Sequence, residues 1–388
     1  MIKITNPAEC CGCTACASIC AHDAIRMVPD ALGFLYPEVD TSKCVECGLC
    51  NKVCAFNDAY DTGLNLPEPE AYAARHTDTA QVMKSRSGAA FVAISDHVLA
   101  QGGVVYGAGY VDHFRVAHKR ATTPEQRDEF RGSKYVQSDL SGVFRNVKED
   151  LRNGLTVLFS GTPCQTAGLN SYVGNKLRDR LLLVDIVCHG APGPYVWRDY
   201  LAYVEKKEND TVDIVNFRDK SELGWSAHKE SFVFKNKGKR VTNDFTDIFY
   251  KHIAFRYSCG QCPYTNLKRP SDITLADFWG WEKTDANINK DNKGVSLLLI
   301  NTAKGQEILN TVKGSLQLIE TKIENCMQPQ LREPAKLNVR RAQFEQDFAA
   351  HGLVYCMRKE AALQFMAKLA PKSVRTWVKK VIKKITRK

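Results

Sequence analysis

Cysteine spacing limits what this chain can fold into more than any other feature. Cys10, Cys13, Cys16 and Cys20 follow the pattern C-x2-C-x2-C-x3-C, and Cys44, Cys47, Cys50 and Cys54 repeat it residue for residue. With Cys11, nine of the 15 cysteines fall within the first 54 residues. Three cysteines two residues apart let one tight loop wrap an inorganic cubane so that three sulfurs meet three irons. The fourth is then offset onto the following helix. A disulfide framework is the other use of so many thiols, but the N-terminus MIKITNPAECC lacks a basic region followed by an apolar stretch. No secretory signal is expected, and the predicted compartment is the reducing cytoplasm, where clustered cysteines bind metal before they form disulfides.

In two-cluster ferredoxins the fourth cysteine of each run ligates the other cluster. The expected assignment is therefore Cys10, Cys13, Cys16 and Cys54 for one 4Fe-4S centre, and Cys44, Cys47, Cys50 and Cys20 for the second. Zinc needs four tetrahedral ligands per ion and leaves the doubled pattern unexplained. The proline that usually follows the fourth cysteine is Ala21 in one copy and Ala55 in the other. Cys11 falls outside the spacing and reads as a spare thiol beside the site.

A chain of 388 residues has room for two or three domains. Its charged fraction of 25% and hydrophobic fraction of 44% are those of a globular protein. The longest apolar runs, LLLVDIV and VSLLLI, are too short to span a bilayer and read as buried strands. The formal net charge of +11 does not mark a nucleic-acid binder, because eight Lys and Arg residues without an acid sit in residues 372–388 and the body is nearly balanced. Val374, Trp377, Val378, Val381, Ile382 and Ile385 recur there at helical spacing. Such a basic amphipathic helix suits peripheral contact with an anionic membrane, docking on the protein's own core, or docking of an acidic electron-transfer partner such as a ferredoxin.

The expected fold class is α+β/α/β. A two-cluster bacterial-ferredoxin-like domain covers residues 1–61, and the Pro-rich stretch 62–71 reads as a linker. A mixed α/β domain spans 72–320, and a helical C-terminal region with the basic tail spans 321–388. LTVLFS and LLLVDIV read as parallel core strands, each followed by a turn and a helix. SFVFKNKGKRVTND reads as a hairpin turning at Asn236 to Gly238, and residues 88–101 as a helix leading into the strand GVVYGAG.

Four more cysteines stand in informative contexts. Cys164 in FSGTPCQ and Cys188 in DIVCHGAPG each follow the C-terminal end of a predicted strand, where ligands bind in open α/β sheets. Thr162 and Pro163 look like a helix start, which favours an ionised thiol at Cys164. CGQCPY adds Cys259 and Cys262, completing four ligands for a third site, iron-sulfur or zinc. The other reading of Cys164 and Cys188 is that of small buried hydrophobes.

Taken in order, CCGCTACASIC, GFLYP, KSRSGAA, GSKYVQS, FSGTPCQ, VCHGAPGPYVW and CGQCPYTNLKRPSDITLADFWG resemble the coenzyme F-420 hydrogenase/dehydrogenase beta-subunit family, in the form with an N-terminal dicluster ferredoxin domain. The resemblance runs from about residue 8 to 315. It implies an iron-sulfur flavoprotein in which FAD sits beside a third 4Fe-4S cluster, on Cys164, Cys188, Cys259 and Cys262, and exchanges hydride with a small molecule that differs among family members. It also implies flavin contacts. Ser85, Ser87 and Gly88 would present backbone N–H groups to the phosphates, or else cap the following helix. Ser133, Lys134, Tyr135 and Gln137 would hold the flavin, or else form a polar edge. Gly161 and Thr162 would admit the ring. Asp277 would orient a ring nitrogen, or else cap a turn, and Ala276 stands where relatives often have Gly. His189 would protonate the substrate, or else bond backbone. GAGYVD lacks the third glycine of a dinucleotide fingerprint. The competing role is a non-catalytic electron-transfer or adaptor subunit serving a partner oxidoreductase.

Overall fold

The computed structural model describes residues 1–369; the tail expected over residues 372–388 lies outside them. At the N-terminal end, β1 (Ile25–Pro29) and β2 (Leu35–Val39) form an antiparallel hairpin between two short helices, Ala15–Ile19 and Leu49–Lys52. Each helix follows directly on a cysteine loop, as a ligand run wrapped round a compact centre requires.

The body is built on an eight-stranded mixed sheet. Its strands are β3 (Asn65–His76), β4 (Val104–Val111), β5 (Arg115–Ala121), β6 (Val157–Gly161), β7 (Leu181–Ile186), β11 (Ile273–Asp277), β12 (Ser296–Thr302) and β13 (Leu316–Thr321), in the order β13-β3-β12-β11-β7-β6-β4-β5. The four central strands β4, β6, β7 and β11 are parallel, and the outer pairings are antiparallel. Strands buried on both faces read as continuous apolar runs rather than alternating ones. Val157 and Phe159 of β6, with Leu181 and Leu183 of β7, pack on the helices Val143–Arg152 and Pro163–Val173. Leu158, Leu182 and Val184 face the helices Ala90–Ala100 and Ala303–Val312 on the other side.

A second sheet of three strands, β8 (Val212–Asn216), β9 (Glu230–Phe234) and β10 (Gly238–Thr242), carries the expected hairpin and has the order β10-β9-β8. It shares an aromatic core with the helix Pro194–Glu208, including Trp197, Tyr200, Phe232 and Phe245. The described residues end in a helix, Arg341–Leu369, broken at Gly352. Among the described residues no helix is long and apolar enough to cross a membrane.

The structure corrects the expected linker. Most of residues 62–71 belongs to β3, an inner strand of the large sheet. Prolines are ordinarily excluded from such positions because they cannot donate to the ladder. Here Pro67 and Pro69 lie in the half of β3 that β13 does not reach, since β13 pairs only with residues 71–76. On the other side the register with β12 shifts between Ile300 and Thr302, which frees that stretch from regular pairing.

Candidate functional site

The first group of thiols is assembled from both ends of the N-terminal domain. Burial raises the Cys16 thiol, and the neighbouring sulfurs of Cys13, Cys10 and Cys54 raise it further. Cys20, by contrast, shares a small apolar hollow with Cys44, Cys47 and Cys50. The fourth cysteine of each run thus crosses to the other loop. Backbone N–H groups reach two sulfurs of the second group, Ile2 N donating to Cys50 Sγ at 3.2 Å and Ala24 N to Cys20 Sγ at 3.4 Å.

The four core cysteines also meet. Cys164 lies in the first turn of the helix Pro163–Val173, and Cys188 just beyond β7. Cys259 lies in the 3-10 turn Tyr257–Gln261, with Cys262 directly after it. Burial pushes Cys188 up, and the sulfurs of Cys259, Cys164 and Cys262 add to the shift. Cys259 is likewise pushed up by burial, to about 11. Cys164 moves the other way, to about 7, drawn down first by a hydrogen bond from Cys11 and then by Thr162 and Arg256 against the effect of burial. Cys11 is therefore more than a spare thiol, since it is buried between Cys13 of the first group and Cys164 of the core group. The two groups pack closely because Gly168 has no side chain: a Cβ there would lie 2.7 Å from Cys13 Sγ.

The core cysteines open onto a cavity of about 410 Å³, within the usual range for cofactor sites. Of the residues expected to hold a flavin, Ser85, Ser87, Ser133, Lys134, Tyr135, Gln137, Gly161, Thr162 and Asp277 line it, and so does His189. Gly88 does not. Its N–H donates to Ser296 Oγ at 2.9 Å, and a Cβ would come within 2.2 Å of the Ala74 carbonyl. Gly88 thus serves the packing of its loop against β3 and β12. Nor do Ser85 and Ser87 cap the helix Ala90–Ala100, which has no side-chain cap. Ser85 instead terminates the preceding helix, Thr79–Lys84, and its Oγ is buried without a partner. Ser87 Oγ donates to the Val295 carbonyl at 2.6 Å.

The Gln137 side chain is already engaged, donating to the Cys11 carbonyl at 2.8 Å and accepting from Arg256 at 3.0 Å. The Lys134 ammonium donates to the Glu129 carbonyl at 2.6 Å, and burial lowers it to about 7. Asp277 pairs with Arg218 and accepts from Trp225 Nε1 at 3.1 Å. Burial works against its carboxylate, but Arg218 and Arg86 outweigh it and hold the group below its ordinary range.

His189 Nε2 lies 2.7 Å from His252 Nε2, while His252 Nδ1 lies 2.9 Å from the Lys336 carbonyl. A carbonyl only accepts, so His252 carries its proton on Nδ1 and its Nε2 accepts from His189. Burial and His252 lower His189 to about 4, so it is neutral and its one proton is committed. No periodic or motif signal marks a second polar wall, formed by Arg86, Arg218, His228, Tyr250 and Trp279. Trp279 stacks on Trp225 at 4.3 Å, and the Arg218 guanidinium lies over its ring at 5.4 Å. His228 accepts from Arg218 at 3.1 Å through Nε2, so Nδ1 carries the proton toward Tyr250 Oη. That leaves the hydroxyl proton of Tyr250 free.

Two parts of the chain match known protein families. Residues 154–325 match the family described as the C terminus of the coenzyme F420 hydrogenase/dehydrogenase beta subunit, and residues 9–57 match the 4Fe-4S dicluster domain. The chain thus carries a 4Fe-4S dicluster domain ahead of a domain of this beta-subunit type, a pairing that points to an iron-sulfur electron-transfer oxidoreductase. A chain of the F420-reducing NiFe hydrogenase complex from Methanosarcina barkeri is 18% identical, with 75% of this chain and 91% of that chain covered and a TM-score of 0.45. No curated protein matches.

Proposed function

We propose that the protein is an iron-sulfur flavoprotein oxidoreductase, with FAD in the central cavity and a third 4Fe-4S cluster on Cys164, Cys188, Cys259 and Cys262. The observation that carries this reading is chemical. The cavity beside the four thiols is lined by residues with buried polar atoms that lack partners: Ser85 Oγ, Arg86 Nε, Arg131 Nη1 and Arg218 Nε. Three guanidinium groups with spare N–H donors suit a pyrophosphate, and Tyr135 and Trp279 supply aromatic surface for a ring. FAD, when bound, supplies the exchange between single electrons and hydride equivalents.

An iron-sulfur rather than a zinc centre is the reading taken for the core thiols, because the dicluster domain ahead of them already commits the chain to iron-sulfur chemistry.

Tyr250 is assigned the role of proton donor in place of His189. Burial raises it to about 12, so it stays protonated at neutral pH, and His228 holds its oxygen. Tyr250→Phe is expected to slow reduction of any organic acceptor that the wild-type protein uses by about 10²- to 10⁴-fold, with iron and flavin contents unchanged. An unchanged rate would remove Tyr250 from the reaction. A redox partner protein would meet the second cluster, where Cys47, Val45 and Leu49 are exposed.

The whole reading is tested by anaerobic purification with iron, acid-labile sulfide, zinc and flavin measured per chain. About twelve irons and one flavin support it. About eight irons without flavin would leave an electron-transfer adaptor.

A further inference from the structure

Arg256 belongs by sequence to the core, three residues before Cys259, yet its side chain ends in the ferredoxin-type domain. Its backbone carbonyl accepts from Cys259 N at 3.0 Å and its own N–H donates to the Ala191 carbonyl at 3.1 Å, so its main chain helps set the core thiol loop. The guanidinium, 1% exposed, makes four hydrogen bonds. Nε donates to the Cys10 carbonyl at 2.7 Å, Nη2 to the Leu35 carbonyl at 2.9 Å and to Cys10 Sγ at 3.6 Å, and Nη1 to Gln137 Oε1 at 3.0 Å. The Tyr36 ring lies 4.1 Å from it. None of the four acceptors is a carboxylate.

A buried cation needs a counter-charge. The one acceptor of these that becomes anionic, once it ligates iron, is the sulfur of Cys10. The loop is shaped to admit it, since Gly12 has φ +71° and a Cβ there would lie 2.8 Å from Arg256 Nη1. The sulfurs of Cys20 and Cys50 receive neutral backbone N–H groups instead.

We propose that Arg256 is a positioning residue that raises the reduction potential of the cluster held by Cys10, Cys13, Cys16 and Cys54 above that of its neighbour, and fixes that cluster as the one facing the core thiols. Reduction adds one negative charge to a centre that is already anionic, and a desolvated guanidinium on a ligand sulfur favours the reduced form. Electrons entering at the exposed second cluster would then run downhill toward the core. The inference needs only the dicluster domain, so it stands or falls separately from FAD and the third cluster.

The test is an EPR-monitored redox titration of the full chain, comparing wild type with Arg256→Gln and Arg256→Lys, with iron counted in each. In the Gln variant one N-terminal cluster is expected to become about tenfold harder to reduce, a fall of about 59 mV for one electron, while the other cluster stays put. The Lys variant keeps the charge and is expected to hold the wild-type potential to within threefold in the same equilibrium. A Gln variant with full iron and both potentials unchanged would overturn the proposal. If Gln loses iron, the Lys variant decides: a tenfold shift there despite the retained charge, or loss of iron there too, would reduce Arg256 to a scaffold residue.

Discussion

Replacing Cys164 and Cys188 together by serine is expected to remove about four of about twelve irons per chain and leave the two N-terminal clusters reducible. The expectation rests on the separation of the groups in the chain and on their meeting in space. Both residues follow ends of parallel strands, at β6 and β7, while Cys259 and Cys262 arrive from a loop that Arg256 and Ala191 hold against them. Serine preserves size but supplies a poor ligand at neutral pH, so a centre with two of its four ligands changed is lost. The dicluster cysteines are untouched, and the EPR signals of reduced N-terminal clusters remain. Retention of all the iron would mean that the core thiols hold no cluster. Loss of zinc in place of iron would convert the core into a structural metal site.

A second large effect is expected away from the cavity. Asp272→Ala should lower the stability of the α/β domain by about 3–5 kcal/mol, the cost of breaking a buried ion pair by removing one partner. Asp272 is fully buried, and both carboxylate oxygens accept from Arg178 at 2.9 Å. Oδ2 also accepts from Leu183 N, and Oδ1 from Thr302 Oγ1, each at 2.8 Å. One carboxylate thus ties β7, β12 and the segment before β11 together. In the alanine variant Arg178 keeps its charge with no counter-charge, and the Leu183 N–H is left unpaired. Asp272→Asn retains an acceptor and should lose less. Urea unfolding followed by far-UV circular dichroism measures both, and a midpoint for Asp272→Ala equal to wild type would show that the pair contributes nothing net.

The parts legible from sequence are those in which chemistry is local. The doubled C-x2-C-x2-C-x3-C run announces its ligands because one loop must supply three sulfurs to one centre, and nothing distant decides that. LLLVDIV announces a central strand because burial on both faces leaves no polar side. The first half of β3 reads as a linker when its prolines are weighed without knowing that β13 stops at Ala71. Gly88 resembles a phosphate contact in a Ser- and Gly-containing loop, and only the neighbouring strands show that its missing Cβ serves packing. His189 stands in a suggestive turn, but its proton state depends on His252, 63 positions away in the chain. His228 and Tyr250 are 22 positions apart and on different elements, so no spacing rule joins them.

By itself, then, the sequence determined that this is an iron-sulfur chain with a dicluster unit ahead of an α/β body, because ligand spacing and apolar runs are properties of short segments. The tertiary structure alone decided that Cys11 and Cys13 meet Cys164 across the domains, that Arg256 reaches from one group to the other, and that His189 is tied to His252 while His228 faces the Tyr250 hydroxyl. Those properties depend on burial and on partners brought together from distant segments, and neither is recorded in the local order of residues.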